Sequence, residues 1–329
     1  MNADRFRHEA LLYHGQDEFV ASALRFITDG LAKGEPVLVA VPATGLATLR
    51  RELPDRDAAR VRMVDITRAG RNPGRILPAL LLPFAGEETG RRIRVLDEPV
   101  WPGRDALAYP ACVQHEALVN AVFAGRPAVI RCSYDADGLD RPALADAERT
   151  HPWLVTPAGT RASNRFADPV GTAAAYNLPL SPPPGSATVL AVTLDRLGFL
   201  RQQVAEAARS AGLPPGRVGD ATIAVNELAI NTLQYSGGLG SLAIWSAPGL
   251  LACQLTDGGY LADPLAASML PAPGAASGRG LYAVQQVCDL VRIYTVPGRT
   301  TIRVHVSSQP APPVALPPPG DRSRPRGAV

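Results

Sequence analysis

Glu227 and Asn231 stand four residues apart in "AVNELAINTLQYSGG" (224–238), a stretch otherwise dominated by Ala, Val, Ile and Leu. On a helix that spacing puts both side chains on one face, and Tyr235 continues the row. A carboxylate in such apolar company is costly unless it is paired or put to use. Glu227 is suited to accept a proton from an attacking hydroxyl. The amide oxygen of Asn231 suits Mg²⁺, which takes oxygen ligands and keeps several waters. Two more stretches complete the constellation. In "TDGGYLADP" (256–264), Asp257 ends a strand-like run, where its carboxylate can accept from an exocyclic amine. The glycines beside it, Gly258 and Gly259, let a flat ring approach the backbone. In "PAPGAASGRGL" (271–281), a small-residue loop opens a helix at Gly278, Arg279, Gly280 and Leu281. Free N–H groups and the helix dipole at such a start favour phosphate.

The elements that must position these residues are readable by period. From 187, "TVLAVTL" reads as a strand and 195–212 as a helix with an Asp cap and a terminal Gly. The stretch 214–238 gives a second helix, 241–257 a hairpin around Ala-Pro-Gly, 278–290 a third helix and 291–306 another hairpin. Helices on one side of an antiparallel sheet make an α+β layer sandwich.

This order of motifs resembles the GHKL (Bergerat) ATP-binding fold, and more closely the anti-sigma-factor serine kinases of the HATPase type. "NELAINTLQY" resembles the family's N-box, "TDGGYLADP" its first glycine box, "SGRGL" its second, and "TTIRV" its closing strand. The resemblance implies ATP and Mg²⁺ as cofactors. It implies Glu227 as the catalytic base and Asn231 as the magnesium ligand. It implies ATP binding by Asn231, Asp257 (to adenine N6), Gly259, Gly278, Arg279, Gly280, Leu281 and Thr300, under a lid at about 264–277. Many members carry His where this chain has Tyr235. The implied partners are an anti-anti-sigma (STAS-type) protein, a sigma factor, or both, and such kinases often form homodimers. "GLGSLA" (238–243) fits a dinucleotide-loop pattern but leads into a strand, and is set aside.

In the N-terminal half, "EPVLVAV" (35–41), "RVRMVDI" (60–66), "RIRVLDE" (92–98) and "PAVIRCSY" (127–134) read as strands. Residues 17–34, 72–84, 109–125 and 140–151 read as helices. Near-continuous apolar strands joined by helical crossovers predict a parallel sheet covered on both faces. The opening resembles RecA/KaiC-like ATPases, yet "YHGQDEF" (13–19) supplies neither the Lys nor the hydroxyl of a phosphate loop. This half is therefore not expected to hydrolyse ATP. "GRNPGRILPAL", "LDEPVWPGRD", "QHEALVNAVF", "CSYDADGLD" and "ERTHPWL" resemble the MEDS domain, a sensory module, over about 6–154. That implies a small-molecule ligand. Trp101, Tyr134 and Trp153 are candidates for its pocket wall, with core packing as the favoured reading. Arg71-Asn72-Pro73 reads as a turn and helix cap. Glu98-Pro99, at a strand end, is where open α/β sheets place ligands.

The domain reading is 1–155 sensory, 156–186 a linker rich in Pro, Gly and Ala, 187–307 HATPase-like, and 308–329 a disordered tail. The 329 residues carry a formal charge of only +3, with acids and bases mixed, which argues against a nucleic-acid surface. Lys33 is the only lysine; arginine codon usage explains that. Four cysteines (112, 132, 253, 288) show no metal-like spacing and read as buried thiols of a cytoplasmic protein. Neither a signal peptide nor an apolar run of membrane length is expected.

Together these readings predict a ligand-gated anti-sigma regulatory factor, an ATP-dependent serine/threonine kinase acting on an anti-anti-sigma partner and so on transcription. The alternatives are a histidine kinase using His115 of "QHEAL", and an ATP-binding regulatory module without turnover.

Overall fold

Strand β2 (Val37–Val41) is buried at all five positions, which only a sheet covered on both faces allows. It belongs to a seven-stranded sheet of order β3-β2-β4-β5-β1-β6-β7. The remaining strands are β1 (Phe6–Tyr13), β3 (Val61–Asp65), β4 (Ile93–Asp97), β5 (Ala128–Asp135), β6 (Trp153–Thr156) and β7 (Gly159–Ala162). All neighbours pair in parallel except the β6–β7 hairpin. The computed structural model describes residues 6–157, 159–266, 269 and 278–309. Most of the stretch read as a lid, and the tail from 310, lie outside the described residues.

The sheet splits its side chains by alternation. On one face Val37, Val39 and Val41 pack on helices α1 (Gly15–Ala32) and α2 (Ala43–Glu52) through Phe19, Phe26, Ile27 and Leu49. On the other, Leu38, Ala40, Val95 and Ile130 meet Ile76, Leu80, Phe84 and helix α6 (Tyr109–Phe123). Helices α3 (Asp55–Ala58), α4 (Ile66–Ala69), α5 (Leu82–Glu87) and α7 (Arg141–Thr150) complete the layers. The predicted helix at 72–84 is instead a 3₁₀ turn (Pro73–Arg75), a π turn (Ile76–Leu81) and then α5. Pro78 and Pro83 lack the N–H that a continuous α ladder needs.

Three elements, strands β1 and β7 and one helix, depart from the sequence reading. Strand β1 lies between β5 and β6, although Arg7, His8 and Glu9 break its apolar pattern. His8 and Glu9 are buried all the same; Glu9 takes two hydrogen bonds from Arg131, at 2.9 and 2.7 Å. The stretch read as a linker holds β7 and helix α8 (Pro169–Ala175), capped by Asp168, whose carboxylate accepts from Gly171 N at 2.6 Å. The Asp-Pro start was a legible cap signal, obscured by the surrounding Gly and Ala.

The second sheet runs β11-β12-β10-β9-β8, all antiparallel. Its strands are β8 (Thr188–Val192), β9 (Gly240–Ala247), β10 (Leu250–Asp257), β11 (Leu290–Val296) and β12 (Arg299–Ser307). Helices α9 (Leu197–Ser210), α10 (Pro215–Tyr235) and α11 (Arg279–Val287) cover one face through Val204, Leu228 and Val284 on Leu255, Ile302 and Val304. The predicted sandwich is therefore present. No described helix is long and apolar enough to cross a membrane.

The two halves meet along β11, an edge strand with spare backbone groups. Asn72, 1% exposed, donates to the Gln285 backbone oxygen (2.9 Å) and Oε1 (2.7 Å), and its Oδ1 accepts from Val291 N (3.3 Å). It also caps the 3₁₀ turn through Gly74 N. Asn177 pairs with Thr295 both ways, donating to its oxygen (2.6 Å) and accepting from its nitrogen (3.0 Å). Arg71 reaches Asp289 and Ser307, and Arg292 donates to Leu107 O (2.6 Å). A Cβ on Gly74 would sit 2.2 Å from Gln285 Oε1, so a larger residue there would displace the Gln285 amide from Asn72.

Replacing Asn72 with Ala strands three buried groups and should cost about 2–3 kcal/mol. Urea unfolding should then show two separated transitions where the wild type shows coupled ones. A second prediction concerns Glu98, whose buried carboxyl is pushed up to about 8 by desolvation, against a hydrogen bond from the Tyr13 hydroxyl. An unfolded glutamate titrates near ~4.3. Between those values the folded chain holds a proton that the unfolded chain releases. Glu98 thus contributes a stability loss of ~1.4 kcal/mol per unit as pH rises through that window. Glu98→Gln should be less pH-sensitive than wild type when urea midpoints are compared at about pH 5 and pH 8.

Candidate functional site

Helix α10 starts with Pro215 at its first turn, where the missing N–H costs nothing. Ala221, Ala224, Val225, Leu228, Ala229 and Thr232 form its buried stripe. Glu227 and Asn231 flank that stripe, half-buried, and both face the start of α11. A Cβ on Gly280 would lie 2.7 Å from Glu227 Oε2 and 3.7 Å from Asn231 Nδ2. Gly278 precedes α11 with φ of 92°, a conformation that favours glycine.

Across the cleft, Asp257 closes β10. Its Oδ2 accepts from the Thr232 hydroxyl (2.6 Å) and its Oδ1 from Gly259 N (2.8 Å). Those bonds fix the carboxylate plane at the cavity wall. Thr300 donates to Gly259 O (3.1 Å) and meets Thr295 Oγ1 at 2.9 Å; Thr295 Oγ1 in turn accepts from Leu261 N (2.9 Å). The segment 259–261 is thereby pinned to both β11 and β12.

These residues enclose a cavity of about 390 Å³. Asn231, Asp257, Gly259, Gly278, Leu281 and Thr300 line it, with Tyr235, which is 60% exposed at its mouth. Glu227 and Gly280 do not line it; they meet each other beside it. Arg279 is exposed and is likewise not part of the wall. The sequence reading missed Thr232, Tyr260, Leu261 and Ile302. Thr232 had a signal, one position after Asn231, but its role depends on a strand 25 residues away.

A second cavity, of about 230 Å³, lies between the domains. Ala111, Gln114, His115 and Leu118 of α6 form one wall, Ala173 and Ala174 of α8 another, and Gln285, Val291 and Ile293 the third. Tyr260 and Leu261 line both cavities. His115 is 4% exposed, and neither ring nitrogen has a hydrogen-bond partner. Burial lowers its pKa to about 4, so the imidazole is neutral near pH 7. The aromatic candidates are elsewhere. Tyr134 is 2% exposed in the core, Trp101 lies under Arg104 and Trp153 under Arg7. Glu98 is also outside this wall.

The chain matches two family models. Residues 7–152 match MEDS, the methanogen/methylotroph, DcmR sensory domain, and residues 190–306 match the histidine kinase-like ATPase domain. No curated protein matches. Among solved structures, the crystal structure of the RsbU and RsbW domains of Rv1364c from Mycobacterium tuberculosis aligns at 17% identity with a TM-score of 0.28. That alignment covers 36% of this chain and 32% of the other, and is too distant to carry an argument.

The Thr232–Asp257 bond is testable without a ligand. Thr232→Val keeps the shape and deletes the donor, and should cost about 1.5–3 kcal/mol, as for a hydrogen bond to a charged group. The shift in urea midpoint measures it.

Proposed function

We propose, from the premise that this chain joins a MEDS domain to a histidine kinase-like ATPase domain, that it is a ligand-gated, ATP-dependent protein serine/threonine kinase of the anti-sigma type. The observation that carries this reading is the convergence of Glu227 and Asn231 on the start of α11, opposite Asp257. Asp257, held by Thr232 and Gly259, accepts from the adenine amine. The α11 start, with Gly278, Arg279, Gly280 and Leu281, receives the phosphates. Asn231 supplies an oxygen to Mg²⁺. Glu227 takes the proton of a Ser or Thr hydroxyl on an anti-anti-sigma partner as that oxygen attacks the γ-phosphorus. The proton goes to the carboxylate, the phosphoryl group to the partner, and ADP leaves. Phosphorylation then changes the partner's charge, and with it the competition for a sigma factor.

The gating half of the reading rests on contact. Tyr260 and Leu261 belong to the walls of both cavities. Leu265 and Met269, just beyond them, pack against the hydrophobic core of the N-terminal domain. A small molecule in the interdomain cavity would touch α6, α11, β11 and the segment that walls the nucleotide site. A histidine kinase is disfavoured, because His115 is 4% exposed and closed off by both domains.

Calorimetry with ATP tests the site, and γ-labelled ATP with a candidate anti-anti-sigma protein tests the chemistry. Wild type should bind ATP in a Mg²⁺-dependent way and label the partner with an alkali-labile, acid-stable phosphate. Asn231→Ala should lose Mg²⁺-dependent binding. Glu227→Ala should bind ATP within a few-fold of wild type yet lose phosphotransfer by at least about 10²-fold. Full function of Glu227→Ala would instead favour an ATP-binding module without turnover.

A further inference from the structure

Four side chains from four separate segments meet inside the N-terminal domain: His8 on β1, Glu116 on α6, Cys132 on β5 and His151 just after α7. None is more than 1% exposed. One potential ligand atom from each lies within 4.8 Å of all the others.

Hydrogen-bond directions fix what these atoms present. Asn120 Nδ2 donates to Thr150 O (2.8 Å), so its Oδ1 is the atom 3.2 Å from His8 Nδ1. That oxygen only accepts, so the neutral tautomer of His8 that satisfies it carries its proton on Nδ1. His151 Nδ1 lies 2.8 Å from Ala147 O, again only an acceptor, so the same tautomer holds there. In those tautomers both Nε2 lone pairs point inward at the Glu116 carboxylate, which calls for a cation there: a proton on Nε2 or a metal ion. His8 Nε2 is 3.3 Å from Glu116 Oε2 and 3.4 Å from Cys132 Sγ, and His151 Nε2 is 3.0 Å from Glu116 Oε2. Among the described residues, these close His–Glu116 contacts are the only polar partners of His151 Nε2 and of Glu116 Oε2 apart from Cys132, and none is aligned as a hydrogen bond. The two imidazole rings are 4.0 Å apart, which opposes placing a positive charge on both.

We propose that His8, Glu116, Cys132 and His151 form a closed four-ligand site for a divalent transition metal of the zinc class. Zinc bonds of roughly 2.0–2.3 Å to N, O and S imply tetrahedral edges of roughly 3.3–3.7 Å, close to the contacts present. Imidazole and thiolate suit that metal better than Mg²⁺ or Ca²⁺. Asn120 and the Ala147 carbonyl already orient the imidazoles as outer partners of a metal site do. Binding would release the Cys132 thiol proton and leave no position for substrate, so the role is structural. The site ties β1, β5 and the end of α7 to α6, and the opposite side of α6 walls the interdomain cavity. This inference is independent of the proposed kinase activity.

The probe is Co²⁺ added to the chelator-treated full-length protein. One Co²⁺ per chain should bind, with intense tetrahedral d–d bands and a thiolate-to-metal charge-transfer band, and Zn²⁺ should displace it. Cys132→Ser should lose the charge-transfer band, while Cys253→Ser, a buried thiol of the other domain, should keep it. Failure of wild type to bind stoichiometric Co²⁺ would overturn the proposal even if the variants did not fold. So would a charge-transfer band that survives in Cys132→Ser.

Discussion

The edge strand β11 is where the two halves of this protein become one object. An uncovered sheet edge presents unpaired N–H and C=O groups that invite other chains. Here two asparagines bond part of that edge: Asn72 of the sensory half accepts from Val291 N, and Asn177 of the connecting segment pairs with both the N–H and the C=O of Thr295. An asparagine side chain offers the same donor and acceptor as a peptide group, so Asn177 pairs with Thr295 as one residue of an extra strand would, while Asn72 bridges β11 to α11. The polar face of the sheet is covered in the same way, with Arg303 bonded to Ser181 and to Gln254. The connecting segment is therefore part of the fold rather than a flexible tether.

That docking sets up a path between the cavities. Asn72 holds α11 through Gln285 and β11 through Val291, and the start of α11 faces Glu227 and Asn231. Asp289, just past α11, accepts from Arg217 of α10 at 2.6 Å and from Arg71 of the other domain at 3.3 Å. A shift of the 71–74 turn would reach α11 and α10, two walls of the proposed nucleotide cavity, through these side-chain hydrogen bonds, with Tyr260 and Leu261 as the partition shared with the interdomain cavity. Coupling of this kind needs two discrete arrangements of such an element, each favoured by one ligand.

Much of the C-terminal half was legible in the sequence because its signals are local. The Glu227–Asn231 spacing, the Asp-Gly-Gly strand end and the Gly-Arg-Gly helix start each declare themselves within a few residues. The structure draws Asn231, Asp257, Gly259, Gly278, Leu281 and Thr300 to one cavity. What stayed hidden is non-local. Asn72 reads as a cap, and it is one, but its other bonds reach residues more than 200 positions away. Strand β1 was masked by His8 and Glu9, polar residues whose partners lie over 100 positions downstream. The same separation concealed the His8–Glu116–Cys132–His151 cluster, since each segment contributes a single residue. Tyr134 packs in the core, the reading favoured from sequence for all three aromatics, and Trp101 and Trp153 lie instead beside Arg104 and Arg7.

The central claim is that the proposed nucleotide cavity and the sensory half share one connected wall. Hydrogen–deuterium exchange on the full chain, with and without ATP and Mg²⁺, tests it most directly. Nucleotide should slow exchange in 227–235 and 257–261, and also in 72–77 and 111–118 across the domain boundary. Protection confined to the C-terminal half, with the sensory segments unchanged, would contradict it.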